Sequence, residues 1–297
     1  KTGGKAVASL KRQFERVPSP VRRKIVRVLP LIRTPQAHAF LVDCFFDADH
    51  ELVREAVHAL REQIGQYEGR DRNDLHARLL AGLRDKRLKQ NEAALSALLI
   101  ALGILADLRS KERILAYIRA DQAAQIRRHA LMSLSRLELA GDKHYDVFEA
   151  LLPILNEPDY EGVVRHAVQV LGRIRPRRSD NTRIRELLAN RHAGVQSFAL
   201  QSLGHLDSVT NAAKVLEFLA HADPSLRDAA QQALRRMPSA VPVILDRLEG
   251  DDQIRPPLRD LRTPDRRRRN TDVAHDRAAA LGHPERLPDR HPEPPPD

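Results

Sequence analysis

Histidine is the residue whose number first suggests chemistry in this sequence, because imidazole binds transition metals and titrates near neutral pH. The chain has 13 histidines in 297 residues. His129 and His166 each stand directly before an alanine in two similar phrases, and His58 lies one turn away in a third. A zinc site needs three or four close ligands, and neither a His-x-x-x-His pair nor a Cys/His cluster supplies them. We interpret these histidines as recurrences of a repeat and predict no metal and no cofactor.

Cys44, the single cysteine, is the next candidate for chemistry, as a nucleophile. It stands among Leu41, Phe45 and Phe46, and no His-paired motif surrounds it. Such apolar surroundings are typical of a protein core, so we interpret Cys44 as a core residue. A lone cysteine forms no internal disulfide, and nothing here indicates an oxidising compartment.

Basic residues are concentrated at one end of the chain. Residues 1–33 hold ten Lys or Arg and one acid, Glu15, within a total formal charge of +10. Such a cluster can neutralise phosphates without reading sequence, or dock on an acidic protein or an anionic membrane surface. It is equally typical of a solvated end face, and no aromatic residues interleave for base stacking. The candidate anion contacts are Lys11, Arg12, Arg16, Arg22, Arg23, Lys24 and Arg27.

A seven-residue phrase returns seven times and organises all of these residues. A fixed period of 31 to 38 residues is the signature of stacked helical repeats. The phrases are RKIVRVL ending at Leu29, REAVHAL at Leu60, EAALSAL at Leu98, RHALMSL at Leu134, RHAVQVL at Leu171, SFALQSL at Leu203 and DAAQQAL at Leu234.

Each phrase lies in a segment with helical spacing. In the second phrase, Leu52, Ala56 and Leu60 fall on one face. Another amphipathic stretch precedes each phrase, so the unit is helix A, a turn, helix B and a second turn. The sequence predicts an all-α solenoid of about eight helical pairs over residues 1–262. B helices are predicted near 20–32, 51–64, 90–105, 124–139, 160–174, 194–206 and 225–236, before a degenerate pair at 239–262.

Capping residues at the predicted boundaries agree with this arrangement. A proline at the first helical position loses no hydrogen bond, and the residue before it caps the helix. Asp121 and Asp159 precede B helices and are expected to cap them or complement the helix dipole. The three cap-proline pairs are Ser19-Pro20, Thr34-Pro35 and Asp223-Pro224.

The C-terminal segment, residues 263–297, breaks the pattern. It carries Arg266 to Arg269 and ends in a proline-rich stretch, with few apolar side chains to offset the entropy of ordering. We predict that it is disordered. No apolar run approaches the length that crosses a bilayer, and we expect a cytoplasmic, monomeric protein. The first residue, Lys1, is not Met, which indicates a fragment of a longer chain.

The phrases resemble HEAT repeats, in particular the short bacterial kind related to phycobilisome-lyase repeats. The shared pattern is an aspartate in the turn, an aliphatic residue followed by arginine, and then alanine and leucine. It covers roughly residues 4–250, and the repeats at 90–105 and 194–206 depart from it, with Asn91 and Gln196 near the arginine position. The matches are Asp49…Val53-Arg54…Ala56…Leu60, Asp121…Ile126-Arg127…Ala130…Leu134, Asp159…Val164-Arg165…Ala167…Leu171 and Asp223…Leu226-Arg227…Ala230…Leu234.

The resemblance implies a right-handed α-α superhelix with the B helices lining a concave surface. It also implies that the signature arginines tie adjacent repeats together: Arg54, Arg127, Arg165 and Arg227. HEAT-like enzymes form a further comparison, but deoxyhypusine hydroxylase uses several His-Glu pairs and this chain has only His50-Glu51. HEAT-like DNA glycosylases use tryptophan in the lesion cleft, and this chain has none.

We therefore predict a non-catalytic scaffold that presents its B-helix surface to a protein partner. Sequence-independent binding of nucleic acid or an anionic surface by the basic first repeat is the alternative. Helical phase nominates the following partner contacts on the B helices: Glu55, His58, Arg61, Arg128, Gln169, Gln201 and Gln232.

Overall fold

The computed structural model describes residues 2–139, 143–158 and 162–250, and fifteen α-helices lie within them, joined by turns and short 3-10 helices. The helices are α1 Thr2–Phe14, α2 Ser19–Ile32, α3 Pro35–Cys44, α4 His50–Gln63, α5 Gly69–Gly82, α6 Glu92–Leu105, α7 Lys111–Leu115 and α8 Ala124–Leu134. They continue as α9 Tyr145–Leu151, α10 Val163–Leu171, α11 Asn181–Glu186, α12 Ala193–His205, α13 Val209–Glu217, α14 Pro224–Leu234 and α15 Ala240–Gly250.

The helices of Lys1–Val241 stack as seven A/B pairs in one compact unit. The B helices α2, α4, α6, α8, α10, α12 and α14 each pack on the next in the series. The odd-numbered helices α1 to α13 each pack on the B helix of their own pair. Because every pair contacts only its neighbours, the core grows along the stack. The predicted all-α solenoid is confirmed.

The last leucine of each phrase forms the core between the two layers. Six of the seven are 0 % exposed and Leu234 is 4 % exposed. Burying each leucine stabilises the fold by about 1.5–3 kcal/mol, which explains why this position recurs. Cys44 is also buried, and burial raises the pKa of its thiol to about 12. The prediction that it is a core residue is confirmed.

Two B helices are shorter than the predicted ranges 124–139 and 160–174. Helix α8 ends at Leu134 and α10 at Leu171. Both close with tighter i→i−3 hydrogen bonds, such as Leu137 N to Leu134 O and Ile174 N to Leu171 O. Leu137 and Ile174 remain buried in these turns. Apolar spacing therefore continues past the true helix ends, and this misled the prediction.

Two of the predicted proline caps are present as expected. Thr34 accepts a hydrogen bond from Ala37 N at 3.3 Å, and Asp223 accepts one from Ser225 N at 2.8 Å. The Ser19 cap is wrong, because α2 begins at Ser19 with Pro18 in the cap position. The Ser19 hydroxyl instead donates to the carboxylate of Asp49.

Asp49 is the cap of α4, so this hydrogen bond joins the starts of two successive B helices. Its Oδ1 accepts from Glu51 N at 2.9 Å and from Leu52 N at 3.3 Å, while its Oδ2 faces Ser19. Asp121 does not cap α8, whose cap is Ala123, and lies 3.6 Å from the Arg119 guanidinium. Asp159 lies outside the described residues.

A second unit begins at Pro242, within α15, and residues 242–250 of it are described. They belong to the predicted degenerate pair at 239–262, whose residues 251–262 lie outside the described part of the chain, as does the predicted disordered tail, residues 263–297. No helix among the described residues is long and apolar enough to cross a bilayer.

Candidate functional site

A groove of about 630 Å³ runs across three successive B helices, α4, α6 and α8. The floor of the groove is aliphatic. Helix α6 is apolar on nearly every side, so it contributes apolar side chains even on the face that lines the groove. The floor residues are Val53, Val57, Ala93, Ala97 and Ile100. The polar residues around the floor are His50, Arg54, His58, Arg61, Glu92, Ser96, Gln125 and His129.

The α4 side of this groove is mostly basic. Helical spacing of three and four residues places four cationic or titratable side chains, from His50 to Arg61, along one edge. Arg54 pairs with Glu51, and His58 Nδ1 lies 3.5 Å from Glu62 Oε1. Both pairs lie within α4 and are exposed, so they hold these side chains only weakly. An aliphatic floor beside a basic edge suits an apolar side chain with a carboxylate next to it.

In repeats four to seven, a basic residue stands two positions after the last leucine of the phrase. We call these four residues the basic row. Each member stands at the C-terminal end of its B helix or two residues past it, and because the B helices stack, the row runs along the edge of the layer where these helices end. We did not predict this row, although its residues stand at a fixed distance after the phrase. The members of this basic row are all exposed: Arg136, Arg173, His205 and Arg236.

Like charges crowd together along the basic row. Burial lowers the pKa of Arg136, and Arg61 at the groove edge lowers it further. Burial also lowers the pKa of His205, with Arg236 and Arg175 adding to the effect. None of the row's arginines appears among those with ion pairs in the described residues, which are Arg27, Arg54, Arg87, Arg109, Arg119, Arg127 and Arg183. The row therefore keeps its positive charge available for an anionic partner.

The seven predicted partner contacts differ in their exposure and in whether they line the groove. His58 and Arg61 line the groove. Glu55 is turned toward the preceding helix, where its side chain is 17 % exposed and pairs with Arg27. Arg128 is half-buried. The remaining three are exposed on later B helices: Gln169, Gln201 and Gln232.

Several of the predicted anion contacts in the first repeat already have partners inside the protein. Arg27 Nη2 lies 3.2 Å from Glu55 Oε2, and Lys11 Nζ lies 3.6 Å from Asp43 Oδ2. Arg23 is half-buried. The remaining cations of this set, apart from Arg22, are exposed: Arg12, Arg16 and Lys24.

The signature arginines fall into two structural classes. Arg127 Nε donates to Ile118 O at 2.8 Å, and Arg227 Nη1 donates to His221 O at 2.8 Å. Both thereby hold the turn between the A and B helices. Arg54 and Arg165 stand one residue later relative to the phrase and are exposed. Among these four, Arg127 also reaches the next repeat, through an ion pair with Glu157.

Two further residues share the position of Arg127, seven residues before the last leucine of the phrase. Gln196 Nε2 donates to Leu188 O at 3.0 Å, and Arg22 Nε donates to Val17 O at 3.2 Å. The sixth repeat, which departs from the sequence pattern, therefore keeps the same turn contact through glutamine. The position within the repeat, rather than the residue type, was the signal that sequence reasoning missed.

Residues 148–235 match the family model of HEAT repeats. This part of the chain consists of HEAT repeats. The resemblance drawn from the aspartate, arginine and leucine spacing is thus confirmed, and the matched HEAT repeats include α10, α12 and α14. No curated protein matches the sequence.

Several solved structures are similar to this chain. Human deoxyhypusine hydroxylase in complex with glycerol is 17 % identical, with 88 % of this chain and 96 % of that chain covered and a TM-score of 0.38. The CpcE–CpcF complex of phycocyanin lyase from Nostoc sp. PCC7120 is 16 % identical over 77 % and 94 %, with a TM-score of 0.44. The archaeal HEAT-like repeats protein from Thermococcus onnurineus NA1 is 15 % identical over 82 % and 95 %, with a TM-score of 0.35.

Proposed function

We propose that this HEAT-repeat chain is a non-catalytic scaffold whose B helices bind an acidic segment of a partner protein. The single observation that carries the proposal is the groove over α4, α6 and α8, with its aliphatic floor and basic edge. HEAT-repeat folds commonly serve protein interaction, but the fold alone assigns no partner. The groove and the basic row supply the chemistry that selects one.

The groove gives the partner an apolar anchor point. Val53 and Val57 of α4 and Ile100 of α6 all line the same cavity. A leucine or phenylalanine side chain seated there removes aliphatic surface from water on both sides, at about 25 cal/mol per Å². Such a buried anchor in a pocket commonly supplies most of an interface's binding energy.

The basic side chains of this surface favour a partner segment with negative charge. Arg61 lines the groove, and its charge adds to burial in lowering the pKa of Arg136, a member of the basic row. Carboxylates placed along this edge would relieve repulsion among the guanidinium groups and form charge-assisted hydrogen bonds. The partner segment is therefore expected to carry an apolar anchor followed by several Asp or Glu residues.

Charge reversal on the full chain tests this proposal. Wild-type protein and the double variant Arg61→Glu/Arg136→Glu are immobilised and exposed to bacterial lysate, with and without nuclease treatment. The expected result is a protein that the wild type retains in low salt and the variant loses. Arg113→Glu/Arg119→Glu is the matched control, because both arginines are exposed on the α7 side of the repeat and the net charge changes equally.

Two outcomes would contradict the proposal. Equal retention of the partner by both double variants would show that Arg61 and Arg136 are not part of the interface. Retention of nucleic acid alone, abolished by nuclease, would favour the alternative function, binding of nucleic acid or an anionic surface through Arg12, Arg16 and Lys24. That alternative remains a prediction, supported by the exposure of these three side chains.

The remaining parts of the proposal are the absence of catalysis, the monomeric state and the cytoplasmic location. Among the described residues no group of three His, Cys, Asp or Glu side chains is placed to hold a metal ion. Sedimentation velocity of the full chain at several concentrations tests the monomeric state, and a concentration-independent sedimentation coefficient is expected.

A further inference from the structure

Three histidines line the groove over α4, α6 and α8. His50 and His58 lie on α4, about two turns apart along the same edge, and His129 comes from α8. Histidine is the side chain whose ordinary charge changes between pH 5 and 8. The groove therefore holds three groups that can change its charge within the physiological pH range.

The repeat brings His129 of α8 into a groove whose edge is formed by α4. His129 stands five residues before the last leucine of its phrase, the position that Glu55 has in the second repeat. Glu55 is turned toward the preceding B helix, where it pairs with Arg27. His129, at the equivalent position, likewise lies on the side of α8 that faces α6, and it is half-buried there.

The fixed charges of the groove are few, so protonation changes their balance strongly. Arg54 and Arg61 line the groove together with one carboxylate, that of Glu92. With neutral imidazoles these three side chains give the described lining a net charge of +1. Three protonated imidazoles would raise it to +4. The attraction for a segment of negative charge grows accordingly.

Other charged groups near the histidines moderate this change without reversing it. The described lining of the groove belongs to the B helices α4, α6 and α8, with no residue of an A helix. Exposed pairs, such as His58 with Glu62 at 3.5 Å, are weak. The remaining groups that face the histidines or pair with the groove arginines are Asp49, Glu51 and Glu55 of α4 and its cap, Arg23 and Arg27 of α2, and Glu92 of α6.

We propose that the groove binds its acidic partner segment more tightly as the pH falls from about 7.5 to about 5.5, through protonation of His50, His58 and His129. The inference rests on the function proposed above, because a partner of negative charge is the kind that gains from added positive charge. A partner that favours the charged imidazoles also draws protons onto the groove when it binds.

The direction of the effect follows from which groups titrate in this range. Carboxylates of a peptide ordinarily titrate near pH 4, so the partner segment keeps its negative charge down to about pH 5.5. Arginine stays charged throughout. The association constant should therefore rise as imidazoles gain protons. An exposed charge pair changes a binding constant by roughly 1.5- to 5-fold, so three histidines together should give about tenfold.

A synthetic acidic peptide tests the inference on the full chain. The probe is a rhodamine-labelled peptide with one leucine followed by several glutamates, and its binding is followed by fluorescence anisotropy at three pH values and constant ionic strength. Circular dichroism at each pH confirms that the chain is folded. The expected result is an association constant about ten times higher at pH 5.5 than at pH 7.5. A probe with glutamine in place of glutamate should show little pH dependence.

A triple variant separates the groove histidines from other sources of pH dependence. His50→Gln/His58→Gln/His129→Gln should reduce the ratio between the two pH values to less than about twofold. His166→Gln is the matched control and should keep the wild-type ratio. His166 has the position of His129 one repeat later, but its Nδ1 donates to Gly162 O at 2.7 Å and it does not line the groove.

Isothermal titration calorimetry supplies a readout that does not depend on the affinity itself. Titrations near pH 6.5 in two buffers of different ionisation enthalpy count the protons taken up when the acidic probe binds. The wild type and His166→Gln should take up protons, and the triple variant should take up close to none. His205 of the basic row is a separate titratable group on the same layer, and the triple variant leaves it in place.

Three results would overturn the inference. One is tight binding of the acidic probe with equal affinity at all three pH values, which would leave the proposed function standing. Another is a pH ratio that survives in the triple variant, because the protons would then bind elsewhere, as at His205. The third is the absence of binding of the acidic probe at every pH, which would overturn the proposed function as well.

Discussion

The Arg127 guanidinium and the Glu157 carboxylate form an ion pair between the fourth and fifth repeats, with 2.7 Å between Nη1 and Oε2. The side chain of Arg127 is 9 % exposed and that of Glu157 is 30 % exposed. Arg127 Nε also donates to Ile118 O, so one side chain joins the turns of two consecutive repeats. Water is largely excluded on the arginine side, which strengthens the attraction but makes an unpaired group costly.

Replacing Arg127 by methionine is expected to lower the free energy of unfolding by about 2–4 kcal/mol, because Glu157 and Ile118 O lose their partner. Urea unfolding followed by far-UV circular dichroism measures the change. Arg54→Met is the control, since Arg54 is 73 % exposed and pairs only within its own helix, and it should cost less than about 0.5 kcal/mol. Equal losses in the two variants would contradict this account.

Gln196 is expected to accept replacement by arginine but not by leucine. Leucine leaves Leu188 O without its 3.0 Å hydrogen bond, which should cost about 1–2 kcal/mol. Arginine restores a donor at a position where Arg127 and Arg227 make the same turn contact. Thermal unfolding of both variants checks the order, and a leucine variant as stable as the arginine variant would refute it.

Gly103 allows α6 and α8 to approach closely. A Cβ atom there would lie 2.7 Å from the Cα atom of Ser133, a backbone atom that cannot move aside alone. Gly103→Ala is therefore expected to destabilise the chain by about 1–3 kcal/mol. Gly194→Ala in α12 meets nothing within 4 Å and should be neutral or stabilising. Chemical denaturation compares the two, and equal effects would exclude the proposed clash.

His76 is expected to make stability depend on pH. Burial lowers its pKa from the ordinary value of 6.5, with Arg109 and Arg72 adding, and its Nε2 lies 2.9 Å from Ser110 Oγ. The folded protein therefore holds this proton less tightly than the unfolded chain. Stability is full above pH 6.5 and is lost as pH falls through 6.5 toward the folded-state pKa.

The measurement is the slope of unfolding free energy against pH between roughly 7 and 5. His76→Gln should flatten this slope without abolishing it, because the pKa of His205 is also lowered. His58→Gln is the control, since the His58 side chain is 62 % exposed, and it should leave the slope unchanged. An unchanged slope in His76→Gln would rule out burial of His76 as a source of the pH dependence.

Fold prediction from the sequence succeeded where a position is occupied by the same kind of residue in every repeat. The leucine that ends each phrase, Leu29 to Leu234, predicted seven B helices and their shared core. Helix ends were less accurate, because Leu137 and Ile174 continue the apolar spacing into turns. The Ser19 cap failed because α2 already begins at Ser19, with Pro18 in the cap position, and the Ser19 hydroxyl donates to the Asp49 carboxylate of the next repeat.

Candidate sites were predicted less well, because exposure and pairing depend on residues a whole repeat away. Helical phase placed His58 and Arg61 in the groove but gave no sign that Glu55 would pair with Arg27. The basic row was missed because its members differ in type, three arginines and a histidine, and follow the phrase rather than lying within it.

The sequence by itself determined that this protein is a stack of helical pairs. A helix satisfies its backbone hydrogen bonds locally, and a leucine repeated at a fixed period needs only an identical neighbour to be buried. Tertiary structure alone decided which histidines share one groove and which polar groups meet, from Arg127 and Glu157 to Ser19 and Asp49. Those contacts join side chains about 30 residues apart, and their geometry is set by how closely successive repeats pack.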